Sequence, residues 1–305
     1  MKDFKVVAIE ELLWSYHPLD PSWIVVPFSD KATLDSADVL VQSNQKGSKK
    51  TKPLGHMYEY IEQSRKPWIV TESAIFRKGC IAPHNPKAYH RYSWYSYYAD
   101  EGDYCNKNSP KDRWLQIQKD QNIQINPWTK NGKYVLLVLQ RPGDSSLYRM
   151  YEKYGTYDAY VDETIKEIKQ YTNKPIMVRM HPLRQDKQKN LVKFWENYGD
   201  EDNVFFSTNS GKDVKDGLYI DFKDAWCVVG FNSNALTESV CEGIPTFSQD
   251  PSSMAWECSN KDLKDIDNPK TFDRQQWLYD LSYGQWTEEE VSQGLMWNHL
   301  RKALK

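Results

Sequence analysis

Six apolar or aromatic residues stand in a row at Tyr134–Leu139 (YVLLVL), and the run stops at Gln140-Arg141-Pro142-Gly143-Asp144-Ser145-Ser146. A short apolar run bounded by turn residues reads as a buried strand. The same figure recurs downstream. Ile176–Arg179 gives way to Met180-His181-Pro182, and Trp226–Gly230 gives way to Phe231-Asn232-Ser233-Asn234. Val204–Phe206 and Ile244–Phe247 read as further strands. Helical spacing runs over Tyr157–Tyr171 and over Asn234–Glu242. Strands alternating with helices predict an α/β domain with a largely parallel sheet.

The first half carries the same rhythm in weaker form. Val6–Ile9, Ile24–Val26, Val39–Val41 and Pro67–Val70 read as strands, His56–Ser64 as a helix, and the Lys-rich Gln45–Pro53 as a loop. The stretch 80–110 is dense in aromatics and broken by Pro, Asn and Gly. It is expected to be a long functional loop region with one short helix. The rhythm breaks at Asn126-Pro127-Trp128. A last amphipathic helix is expected over 287–304, with Thr287 as its N-cap before three Glu.

A chain of 305 residues accommodates two domains with sizeable cores. Twelve Trp and twenty Tyr exclude a disordered chain. The five cysteines include no CxxC pair, which disfavours a disulfide framework or a zinc site and fits a reducing cytoplasm. The N-terminus has neither the apolar core nor the cleavage site of a secretion signal, and no stretch approaches the ~20 apolar residues of a membrane span. The net charge of −2 hides an asymmetry, because Lys46–Arg91 holds ten Lys/Arg against three Glu. Such a block draws anionic partners, although a solvated charge run is the commoner case.

In open α/β sheets ligands bind beyond the carboxyl ends of the strands. The loops after YVLLVL, IMVR and WCVVG therefore converge on one crevice. Asn232-Ser233-Asn234 opens a helix whose free N–H groups favour phosphate, and Glu238, one turn further on, is placed to accept ribose hydroxyls. Each motif alone has a plainer reading, since Asn and Ser before a helix are usually caps. Their succession, each after its own strand, favours a site.

VLQRPGDSS, VRMHPL and GFNSNALTESVCEGIPTF together resemble the capsular-polysaccharide, Kdo-transferase-like glycosyltransferases. Those carry a Gln…Asp-Ser loop, a His-Pro motif and a Ser-rich turn before a helix. Thr71–Arg77 (TESAIFR) is similar to the acidic-residue-to-arginine motif of the family's N-terminal domain. The chain departs from the pattern at Asn232, where Gln or Ser is usual, and at Thr237-Glu238, where Glu-Ala is usual.

The resemblance implies a GT-B fold, with two Rossmann-like domains facing across a cleft and a C-terminal helix packing back on the first. The domains expected are 1–125 for the acceptor, 126–285 for a nucleotide sugar, and 286–305 as the returning helix. It further implies a metal-independent nucleotide-sugar glycosyltransferase with no cofactor beyond the donor. The donor residues would be Gln140, Arg141, Asp144, Ser145, Arg179, His181, Asn232, Ser233, Asn234 and Glu238, with Arg141, Arg179 and His181 offsetting the leaving diphosphate. Glu72 leads as catalytic carboxylate, with Asp100 and Asp112 behind it.

Arg77, Lys78, Arg91, Trp94 and Tyr95 are the acceptor candidates. Aromatics interleaved with Arg and His suit nucleobase stacking or sugar stacking, and suit core packing equally. The 80–128 block and Asp250–Trp256 also resemble glycosyltransferases of large tailed phages. The first expectation is therefore transfer to a hydroxymethylated pyrimidine in phage DNA, in a host cytoplasm. The alternatives are a surface-polysaccharide transferase and a non-catalytic sugar- or nucleic-acid-binding module.

Overall fold

The structure is a computed structural model and describes residues 3–43, 54–76, 85–182, 203–210 and 216–304. The chain forms two compact units. One is Met1–Asn122 with Gln275–Lys305, and the other is Ile123–Arg274. The segment 275–285, expected in the second domain, packs with the first.

In the first unit the chain runs β1 (Val6–Ile9), β2 (Ile24–Val26), α1 (Lys31–Asp35), β3 (Val39–Ser43), α2 (Gly55–Ser64), β4 (Trp68–Ser73), β5 (Tyr89–Trp94) and α3 (Asp112–Gln121). The second unit holds β6 (Tyr134–Val138), α4 (Tyr148–Tyr154), α5 (Tyr157–Tyr171), β7 (Ile176–Arg179), β8 (Val204–Phe206), α6 (Gly217–Phe222), β9 (Ala225–Gly230), α7 (Asn234–Cys241) and β10 (Thr246–Ser248). The chain then returns to the first unit as α8 (Gln275–Tyr283), β11 (Gln285–Thr287), α9 (Glu288–Ser292) and α10 (Leu295–Leu300).

The second sheet has the order β10-β9-β6-β7-β8, and every pairing in it is parallel. Its core is built from Val135, Leu137, Val178, Cys227 and Val229 on the strands with Val161, Ile165 and Ile168 of α5, all under 1% exposed. Parallel strands buried on both faces show up in sequence as unbroken apolar runs, which is why YVLLVL is so plain.

The first sheet has the order β11-β5-β4-β3-β1-β2 and is mixed. β1 to β4 are parallel, whereas β5 and β11 run against them. One face carries Val7, Ile9 and Leu40 under α1 and α2. The other carries Val6, Ala8, Val41, Ile69, Tyr92 and Trp94 under Val291, Met296, Trp297 and Leu300. The C-terminal segment thus packs back on the first unit.

Two elements differ from what the sequence led one to expect. Residues 89–94 are a central strand, fully buried, and not a loop or helix. Their rings fill the core, which suits the β-preference of aromatics. The expected final helix is two short helices parted at Gly294, whose φ of 73° lies in the left-handed region. Its start is as expected. Thr287 Oγ1 accepts from Glu290 N at 3.1 Å, and the Glu290 carboxylate accepts from Thr287 N at 2.9 Å, forming a capping box.

Candidate functional site

The order β10-β9-β6-β7 brings the loops that follow these strands to one edge of the second sheet. They are hydrogen-bonded to one another. Gln140 Nε2 donates to Asn232 Oδ1 at 2.8 Å and to Ser146 Oγ at 3.0 Å. Asn232 Nδ2 donates to Ser146 O and to Ser252 Oγ, both at 2.8 Å. Ser252 donates in turn to the Asp250 carboxylate, which also pairs with Arg149 at 3.2 Å. Asn232 and Gln140 therefore use their polar atoms to lock three loops together. They frame the edge and position the groups around it.

Asp144 is shaped by its own turn. Its Oδ1 accepts from Ser146 N at 3.1 Å and Ser146 Oγ at 2.9 Å, and its Oδ2 pairs with Arg141 at 3.2 Å. Both partners of that pair are about a quarter to a third exposed, so the Arg141 guanidinium faces water. Ser145 is buried beside them. Ser233 caps α7, accepting from Ala235 N at 3.3 Å, and Asn234 begins the helix half-exposed. His181 follows β7 at the same edge, also half-buried. Neighbouring strands lie ~4.8 Å apart, so β7 and β9, two places apart in the sheet, are separated by roughly 10 Å.

Two donor candidates hold other posts. Arg179 is buried, and its guanidinium pairs with the fully buried Asp221 at 2.5 Å and donates to Asn209 O at 3.1 Å. A buried charge needs a partner, and Asp221 neutralises the one expected to meet a diphosphate. Glu238 is 4% exposed, and its carboxylate accepts a hydrogen bond from the Tyr219 hydroxyl. Burial and this carboxylate push the Tyr219 phenol well above its ordinary range. Glu238 is thereby committed inside the unit, not open to a ribose.

Sequence reasoning missed Arg149, Asp250 and Ser252 as members of this edge. The signal was present, because Asp250-Pro251-Ser252-Ser253 follows β10 just as the other polar turns follow their strands. Asp-x-Asp runs occur twice, at Asp200-Glu201-Asp202, which lies outside the described residues, and at Asp265-Ile266-Asp267. The latter lies at the opposite edge, where Asp267 accepts from Thr172 at 2.6 Å and Ile266 O accepts from Trp226 at the start of β9. Among the described residues no group of three or more His, Cys, Asp or Glu is arranged to hold a metal ion.

In the first unit, Glu72 sits half-buried near the carboxyl end of β4, in register with Arg91 of β5. Ser73 N donates to Glu72 Oε1 at 2.8 Å, and Arg91 Nε donates to Ser73 O at 2.9 Å. Because β5 runs antiparallel, its far end lies at the other edge of the sheet, where Tyr95 N donates to Trp68 O at 2.9 Å. Tyr95 is therefore apart from Glu72 and Arg91, and Asp100 is exposed in the turn that follows it. Asp112 holds the Tyr283 hydroxyl at 2.8 Å. Trp94 is 2% exposed, and its Nε1 donates to Leu300 O at 3.2 Å. It packs the core and offers no face to an acceptor. Tyr95 is exposed, edge-on to Trp68. Arg77 and Lys78 lie outside the described residues, as does the Lys46–Lys52 stretch.

The same edge of the first unit holds a cluster unforeseen in the sequence. His17 Nδ1 lies 2.6 Å from Thr71 Oγ1 and 3.2 Å from Ser43 Oγ. The His17 and His90 rings meet edge-to-face at 5.3 Å, and His90 Nε2 is 3.7 Å from the Glu288 carboxylate. Burial, with His90 and Arg91 adding to it, pushes His17 down to about 3, and burial pushes His90 down to about 4. Imidazoles held neutral this firmly are weak bases.

No protein-family model matches the chain, and no curated protein sequence matches it. Solved structures do. The β-Kdo 2,4 transferase of Thermosulfurimonas dismutans KpsC aligns with a TM-score of 0.59 at 13% identity, over 94% of this chain and 93% of that one. The β-Kdo 2,7 transferase of the same KpsC aligns with a TM-score of 0.54 at 13% identity, over 98% and 99%. The likeness is one of fold and runs through nearly the whole of each chain. The protein has the mixed α/β, GT-B-type fold of these glycosyltransferases.

Proposed function

We propose that the protein is a glycosyltransferase that takes its sugar from a nucleotide-sugar donor bound at the carboxyl edge of the second sheet. The observation that carries this reading is the interlocking of three loops through Gln140, Asn232 and Ser252 around the start of α7. Such a frame holds the α7 N-terminus, the positive end of the helix dipole, in place for a phosphate. The partly exposed Arg141, with His181 after the adjacent strand β7, adds positive or hydrogen-bonding groups beside it.

In the reaction the bond from the anomeric carbon to the donor phosphate breaks and a bond to the acceptor oxygen forms. The acceptor proton passes to a carboxylate, for which Glu72 is the proposed base. The leaving phosphate is met by groups of the chain itself, so transfer is expected to persist in EDTA.

For the acceptor we favour a hydroxyl of a capsular or surface glycan. A DNA-base acceptor calls for aromatic faces on which a flipped base can rest. Tyr89, Tyr92, Trp94, Tyr97 and Tyr98 all turn into the core. The test is a thermal-shift screen of nucleotides and nucleotide sugars, followed by transfer assays on glycan fragments and on hydroxymethylated DNA. Stabilisation by one nucleotide class, with transfer to a glycan, supports the reading. Transfer to DNA alone would replace the acceptor, and binding without transfer to anything would favour a non-catalytic module.

A further inference from the structure

Arg274 is the last residue of the second unit, and Asn126 stands just behind its first, Ile123. The chain enters and leaves this unit side by side, and both passages are fastened to the C-terminal end of α7. Asn126 N donates to Cys241 O at 3.0 Å, and Thr129 N donates to Gly243 O at 2.7 Å. The Asn126 side chain donates to the Glu242 carboxylate at 2.7 Å. Arg274 closes the assembly with a forked contact, one nitrogen donating to Val240 O and the other to Asn126 O. Its guanidinium lies 4.5 Å from the centre of the Trp128 ring, and Trp128 Nε1 donates to Phe272 O at 3.0 Å. Gly243 permits the approach. Its φ is 73°, and a Cβ there would stand 2.1 Å from Pro127 O.

The other end of α7 is the Ser233-Asn234 turn. The helix is eight residues, roughly 12 Å, long. Leu236 to Cys241 are all buried, so the helix is gripped on every side between its two ends. A short helix packed this way shifts as a piece, because close-packed interiors transmit displacement.

We propose that Arg274 is a positioning residue for the donor turn: by tying the entering and leaving segments to the last turn of α7, it fixes where the first turn of α7 presents its N–H groups. The inference rests on reading that first turn as the donor phosphate seat. An arginine suits the post because its planar fork reaches two carbonyls at once while stacking on Trp128, and a carbonyl-rich helix end favours a cation. Lysine keeps the charge and loses the fork.

The test is hydrogen exchange on the ligand-free protein, comparing the native chain with Arg274→Lys and Arg274→Ala. The amides to follow are Ala235 N, bonded to Ser233 Oγ at 3.3 Å, and Leu236 N, bonded to Ser233 O at 3.0 Å. Exchange at these two is expected to quicken at least 10-fold in Arg274→Lys, with strand β7 unchanged. Faster exchange confined to 123–131 and 270–274 would overturn the proposal and leave Arg274 a local clamp. A uniform rise through the unit would overturn it as well, since that reports general loosening. Arg274→Lys keeps the comparison available if Arg274→Ala does not fold. No donor is present in this experiment, so its outcome is separate from whether the protein transfers sugar. That question is decided by the nucleotide screen on the native chain.

Discussion

Asn232 is the single side chain on which the candidate site most depends. Replacing it with Ala leaves Gln140 Nε2, Ser146 O and Ser252 Oγ each short of a partner. A buried polar group stripped of its partner costs about 1–3 kcal/mol. Asn232→Ala is expected to lower the thermal midpoint by several degrees and to abolish nucleotide-induced stabilisation. Ser233→Ala, which removes only a cap, should cost about 1 kcal/mol. Differential scanning fluorimetry with and without nucleotide checks both, and an unchanged nucleotide shift in Asn232→Ala would separate the loop lock from binding. Trp94→Ala should cost about 3–5 kcal/mol as a core truncation, whereas Tyr95→Ala should leave stability nearly unchanged, as chemical denaturation would show.

The buried histidines give a pH signature at the same scale. His17 and His90 have folded values near 3 and 4, below the unfolded 6.5. Above pH ~6.5 neither state binds the protons and the pair has no effect. As pH falls from 6.5 toward 4 the unfolded chain takes up protons that the native chain refuses, so stability present at neutral pH is lost. The loss is of the order of 2 kcal/mol per histidine by pH 5. Arg91 adds to the penalty on protonation and the Glu288 carboxylate opposes it. Urea unfolding at pH 7 and pH 5 should show a much flatter dependence in a His17→Gln, His90→Gln double variant. Equal slopes in the two proteins would mean that these imidazoles do not carry the effect.

The elements were legible in the sequence wherever burial alone decided them. β6, β7, β8 and β9 were marked by apolar runs, and the polar turns after them led to Gln140, Asp144, Asn232 and Ser233. β5 was not legible, because His90, Arg91 and Ser93 interrupt its apolar pattern and the strand is buried by a C-terminal segment about 200 residues away. Arg179 and Glu238 were misassigned for a related reason. Their partners Asp221 and Tyr219 lie on α6, and no local spacing announces a tertiary partner. Conversely the capping box of α9 is local, and Thr287 announced it. Thr287→Ala is expected to cost about 1 kcal/mol, measurable as a shift in the denaturation midpoint.

On the scale of the whole molecule, the chain makes its first unit from both ends of the sequence. Val291, Met296, Trp297 and Leu300 cover the sheet face that carries Val6, Val41, Ile69 and Trp94. Ending the chain after Arg274 would expose that face and remove β11 from its edge. Loss of cooperative folding is expected in the first unit, with the second still folded, and circular dichroism with limited proteolysis would show it. The second unit bears the loops on which the proposed activity rests. Nucleotide release from a panel of nucleotide sugars, measured with and without glycan acceptors, tests that activity most directly. Release of one nucleotide per sugar transferred to a glycan, lost in Asn232→Ala, is the predicted result. A folded native protein that neither binds nor consumes any nucleotide sugar in the panel would contradict it.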